Sequence, residues 1–81
     1  MFYVYAIRSL THNYIYVGLT DNLERRLSQH NNGQNRTTRP YAPFVLIWSN
    51  GYPTRAEARK KEKYLKSGTG KEFLRGLMQQ P

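Results

Sequence analysis

Three ionisable side chains occupy places where helical packing asks for apolar ones. Arg26 and His30 share a stripe with Leu23 and Leu27 at i, i+3, i+4, i+7 spacing. Glu62 lies four residues after Ala58 and three before Leu65, so it falls on the packing face of its own helix. Two readings stand open for Glu62. It is a rim carboxylate paired with Lys66 at i, i+4, a contact of about 0.2–0.5 kcal/mol, or it holds a hard cation at a site edge. Magnesium keeps several waters and often takes one or two protein carboxylates, with phosphate completing its shell. Arg26 and His30 divide in the same way. They are either an arginine snorkelling over the core edge and a satisfied core histidine, or parts of a site between helix and sheet, where local patterning tends to break its own rules.

The five acidic residues sharpen the question. Asp21, Glu24, Glu57 and Glu72 all fall in expected first turns of helices, where caps and the helix dipole favour negative charge. Glu62 alone has no such explanation.

The elements that would position these groups can be read along the chain. Phe2 to Arg8 and Tyr14 to Leu19 read as strands joined by a turn at residues 10–13, which makes an opening hairpin. With that turn, Tyr5 lies opposite Gly18 and Ile7 opposite Tyr16, so Tyr5 and Tyr16 project from one face. A glycine facing a tyrosine leaves room for its ring or for a ligand. The other tyrosines, Tyr3, Tyr14, Tyr41, Tyr52 and Tyr64, read as packing aromatics. Asp21 and Glu24 suit a capping box for a helix ending near His30. Residues 31–42 form a polar, basic loop. Phe44 to Trp48 is continuously apolar and predicts a third strand covered on both faces, followed by a turn at residues 50–53. Thr54 with Glu57, and Thr69 with Glu72, predict caps for helices ending near Lys66 and Leu77. The expected architecture is α+β, in the order β-β-α-β-α-α, with a three-stranded antiparallel sheet in strand order 2-1-3. It forms one domain over residues 1–77 with a frayed tail at 78–81.

Composition narrows the class. The chain has 81 residues, and a core this small buries only about 60–65% of the unfolded chain's surface. Cysteine is absent, which excludes disulfides and cysteine-ligated zinc and predicts a cytoplasmic location. No run approaches the roughly 20 apolar residues of a membrane span, and the N-terminus carries no signal-peptide pattern. Thirteen Lys and Arg against five Asp and Glu give a net charge of +8, and the pI is near 10.1. A field of that sign favours nucleic acid or an anionic surface.

Taken together, these residues resemble the GIY-YIG nuclease superfamily, in its small single-domain UPF0213 group. Tyr3-Val4-Tyr5 stands at the GIY position and Tyr16-Val17-Gly18 at the YIG position, eleven residues on from tyrosine to tyrosine, followed by Arg26, His30 and Glu62 in order. The likeness runs from Phe2 to about Arg75. Tyr3 replaces the first glycine and Val4 the isoleucine. Leu19 stands where some relatives carry a lysine, which leaves more charge stabilisation to Arg26. The resemblance implies a metal-dependent endonuclease acting on DNA. Its catalytic residues would be Tyr5, Tyr16, Arg26, His30 and Glu62, with Glu62 holding Mg2+ or Mn2+. Arg26 would contact the scissile phosphate as a planar fork. Tyr5 or Tyr16 would orient or deprotonate water, and His30 would accept a tyrosine hydrogen bond or relay its proton. Arg25, Arg36, Thr37, Arg39, Lys63 and Lys66 are the candidate nucleic-acid contacts. With no obvious recognition domain, the substrate expected is single-stranded or branched DNA rather than a specific duplex sequence. The competing readings are a binding module with the same fold and no catalysis, and a basic RNA-associated protein.

Overall fold

The computed structural model describes residues 1–78 and places three strands and three helices in the order anticipated. Strand β1 (Phe2–Ser9) is central, flanked by β2 (Ile15–Thr20) and β3 (Phe44–Tyr52), and both pairings are antiparallel. Helix α1 (Leu23–Asn31) joins β2 to the polar loop, and α2 (Arg55–Lys66) and α3 (Gly68–Met78) close the chain. The hairpin register pairs Tyr5 with Gly18 and Ile7 with Tyr16, as the turn length required.

Because strand side chains alternate, β1 feeds two cores. Val4 and Ala6 point to one face, where Val17, Ala58, Leu65 and Leu74 bury them under α2 and α3. Tyr5 and Ile7 point to the other, with Phe44, and α1 covers that face with Leu23 and Leu27. Full burial of a Leu or Ile contributes about 1.5–3 kcal/mol, so the fully covered Ile7, Leu65 and Leu74 hold the three layers together. Glycine is required where α3 meets the end of α2. A β-carbon on Gly70 would come within 2.5 Å of Leu65 Cα, and backbone cannot yield as a flexible side chain can.

Several local details differ from expectation. The α1 cap is Asn22, whose side chain accepts from Arg25 N–H; Asp21 instead pairs with the Arg25 guanidinium at 2.8 Å. Strand β3 is not covered on both faces. It is an edge strand with Val45 exposed, it runs through Asn50, Gly51 and Tyr52 where a turn was anticipated, and it carries a bulge that leaves Ile47 unpaired between Leu46 and Trp48. Thr54 caps α2 as expected. The Thr69–Glu72 box does not form, because α3 already begins at Gly68. The Ser67 hydroxyl and carbonyl accept from Gly70 and Lys71 N–H there, so Ser67 ends α2 and starts α3. Within the 31–42 loop, Arg39–Tyr41 makes a 3-10 turn. The anticipated tail at 78–81 meets α3 at Met78, its last residue; residues 79–81 lie outside the described residues. No described helix is long and apolar enough to cross a membrane.

Candidate active site

The site is built on the α1 face of the sheet. Tyr5 comes from the central strand and Tyr16 from β2, with ring centroids 6.3 Å apart. Gly18 makes room for Tyr5: a β-carbon there would sit 2.6 Å from Tyr5 Cζ, so the phenol lies over the glycine backbone. His30, in the last turn of α1, comes down between the two tyrosines, at centroid distances of 5.7 Å to Tyr5 and 5.0 Å to Tyr16.

His30 is fully buried and uses both ring nitrogens. Nε2 lies 2.8 Å from the Tyr5 hydroxyl and Nδ1 lies 2.8 Å from Thr38 Oγ1. Thr38 is itself fully buried; its N–H, like that of Thr37, donates to Asn35 Oδ1. The hydrogen bonds run in either direction. In one, Tyr5 O–H donates to Nε2 and Nδ1–H donates to Thr38. In the other, the Thr38 hydroxyl donates to Nδ1 and Nε2–H donates to the Tyr5 oxygen. In either arrangement the ring carries one proton and both of its nitrogens are satisfied. Burial lowers the His30 pKa, and the Arg26 charge lowers it further, so the imidazole is neutral at pH 7. Burial raises the Tyr5 pKa. The neighbouring Tyr16 adds to the rise, Arg26 opposes it and Glu62 reinforces it. Tyr5 is therefore a neutral phenol in the folded chain.

Arg26 stands one helical turn before His30. Its Nε is covered yet makes no hydrogen bond to any described group, a costly arrangement for a charged side chain. Arg26 also borders a recess of about 210 Å³ with Gln29, Gln34 and Asn35. These amides carry no charge of their own and can serve an anion placed against the guanidinium.

Glu62 arrives from the opposite layer. Helix α2 covers the far face of the sheet, so its carboxylate lies on the other side of the sheet from α1. Only 14% of the side chain is exposed, and its charge is felt at Tyr5. Both oxygens have cationic neighbours on the same helix, Arg59 Nε at 3.5 Å and Lys66 Nζ at 3.3 Å. No cluster of three or more His, Cys, Asp or Glu forms among the described residues. A single carboxylate fits a hard cation that keeps its waters and takes phosphate oxygens.

The remaining candidates lie on the same loop and helices. Arg36, Thr37 and Arg39 are exposed on the loop that delivers Thr38. Lys63 and Lys66 are exposed on α2, and Arg25 is exposed on α1 but already paired with Asp21. Thr38 and the amides of the Arg26 recess escaped the sequence reading. A hydroxyl eight residues beyond a histidine carries no periodic signal, and only the path of the loop brings it back. Tyr41 is outside the sheet, stacked on Tyr14 at 4.0 Å.

The GIY-YIG catalytic domain profile matches residues 1–75. The chain is 40% identical over 67 residues to a UPF0213 protein of Nitratidesulfovibrio vulgaris, covering 82% of this chain and 60% of that one. It is 36% identical over 74 residues to a UPF0213 protein of Vibrio campbellii, covering 88% and 70%. With a UPF0213 protein of Clostridium perfringens it shares 35% over 75 residues, covering 91% and 80%. The chain thus spans less than two thirds of the first relative's length. The solution NMR structure of a UPF0213 protein from Bacillus halodurans superposes with a TM-score of 0.57 at 32% identity, covering 100% of this chain and 89% of the other.

Proposed function

Because the chain belongs to the GIY-YIG family, we propose that it is a divalent-metal-dependent endonuclease that hydrolyses DNA phosphodiester bonds, directed to single-stranded or branched DNA. The observation that carries this reading is the covered, unpartnered Nε of Arg26 beside a neutral phenol–imidazole pair. A scissile phosphate seated in the recess that Arg26 borders pairs with the guanidinium, which then stabilises the charge that grows on the phosphoryl oxygens during attack. Tyr5 holds the attacking water through its oxygen while its own proton goes to His30 Nε2. The imidazole is the proton acceptor and the phenol the relay, so no free phenolate is needed. Imidazolium Nδ1–H donates to Thr38. Tyr16 closes the other side of the His30 ring and orients the water.

Glu62 would hold the cation, Mg2+ or Mn2+. Such an ion supplies charge neutralisation at the phosphate and at the leaving oxygen. The basic side chains Arg36, Arg39, Lys63 and Lys66, with Thr37 and Arg25 beside them, would hold the flanking strand by its phosphates.

The second reading, a nucleic-acid-binding module without catalysis, draws on the Glu62 contacts with Arg59 and Lys66, which give the carboxylate a role that needs no metal. One experiment separates the two. Single-stranded, branched and duplex DNA are incubated with magnesium, with manganese and with EDTA, using the native chain and Glu62→Gln. The nuclease reading expects metal-dependent cleavage that Glu62→Gln abolishes while DNA binding is kept or strengthened. Binding without cleavage in any metal supports the module, and cleavage retained by Glu62→Gln rejects the metal role of that residue.

A further inference from the structure

A cavity of about 460 Å³ runs along the free edge of β2, between that strand and α3. Tyr14, just before the strand, and Tyr16 within it line one side, Lys66 lines it from the end of α2, and Lys71, Leu74 and Arg75 from α3. It borders the candidate active site, since Tyr16 belongs to both and Lys66 is paired with Glu62. Among the described residues no carboxylate lines it. Lys71 and Arg75 are one helical turn apart, exposed, and paired with no carboxylate among the described residues. None of the basic residues that the sequence alone singled out as nucleic-acid contacts lies on α3.

We propose that this groove binds the sugar–phosphate backbone of one polynucleotide strand and carries it away from the Tyr16 end of the site. Lys66, Lys71 and Arg75 neutralise successive phosphates. Charge decides the occupant: three cations line the groove and no described carboxylate does, which suits a polyanion. The inference rests on the nucleic-acid reading of the neighbouring site and adds to it a direction for the bound strand.

The test uses the full chain and the double variant Lys71→Ala/Arg75→Ala, two exposed positions outside the catalytic group. Binding of fluorescein-labelled oligo(dT) is measured in EDTA across a salt series. The double variant is expected to bind more weakly, with the slope of log K against log[salt] reduced by roughly 1.4, which is 0.7 for each lost phosphate contact on a single strand. In magnesium, KM for the oligonucleotide rises and kcat is kept, and turnover of bis(p-nitrophenyl) phosphate, too short to reach α3, is unchanged. Unchanged affinity and salt slope in the double variant overturn the groove. Competition by polyglutamate as strong as that by unlabelled oligo(dT) also overturns it, because the cavity would then be taking an acidic polypeptide. If nothing is cleaved yet the binding difference holds, the nuclease reading fails and the groove stands. If the native chain cleaves DNA and the double variant binds equally well, the groove fails and the nuclease reading stands.

Discussion

The Tyr5 hydroxyl lies 2.8 Å from His30 Nε2, across 25 residues of chain and between two different layers of the fold. Both partners are buried, and burial moves the Tyr5 pKa up and the His30 pKa down, so both are neutral at pH 7. The bond ties the last turn of α1 to the centre of the sheet. It also joins a weak acid to a base whose other nitrogen is already engaged by Thr38.

Thr38→Val removes the partner of Nδ1 while conserving shape. A buried ring nitrogen left without a partner costs about 1–3 kcal/mol. Urea denaturation should show that loss as a lower midpoint with an unchanged slope. Where cleavage occurs, its rate should fall with KM little changed, since Thr38 touches His30 and not the strand.

The lowered pKa of His30 gives stability a pH dependence of known sign. The unfolded chain carries an ordinary imidazole, with a pKa near 6.5, and binds its proton first as the pH falls. The His30 contribution is therefore fully present above about pH 6.5 and is lost as the pH drops below it. Thermal unfolding between pH 7.5 and 5.5 should show Tm falling toward acid. His30→Asn should flatten that dependence, even though the variant is less stable throughout.

Arg26 lowers the His30 pKa through its charge. In Arg26→Ala the imidazole should titrate at higher pH, measured by NMR of the ring protons. Cleavage and DNA affinity should both decline in the same variant. Arg26→Lys should keep much of the charge effect on His30 yet restore little cleavage, because an ammonium lacks the planar fork.

Gly18→Ala places a methyl group against the Tyr5 ring. Overpacking of this kind costs about 1–3 kcal/mol, and the displaced phenol gives up its hydrogen bond to His30. Tm should drop by more than it does for Leu19→Ala, a half-buried position next along the same strand, measured by calorimetry. Smaller losses at Gly18 than at Leu19 would contradict the tight fit described for Tyr5.

Alternation and helical periodicity are properties of a few consecutive residues, so they are written in the sequence itself. They determined the order of elements, the pairing of Tyr5 with Gly18, and the packing stripes that carry Arg26, His30 and Glu62, and with the connection rule for a strand–helix–strand unit they gave the 2-1-3 sheet. The same local reasoning failed at the first and last caps, where Asn22 and Ser67 accept the helix N–H groups that Asp21 and Thr69 were expected to take. It failed again on β3, because apolar residues on an edge strand look the same as those of a covered one. Neither the Thr38 contact with His30 nor the recess beside Arg26 has any local signature. Each depends on how a loop returns, and only the tertiary structure decides that.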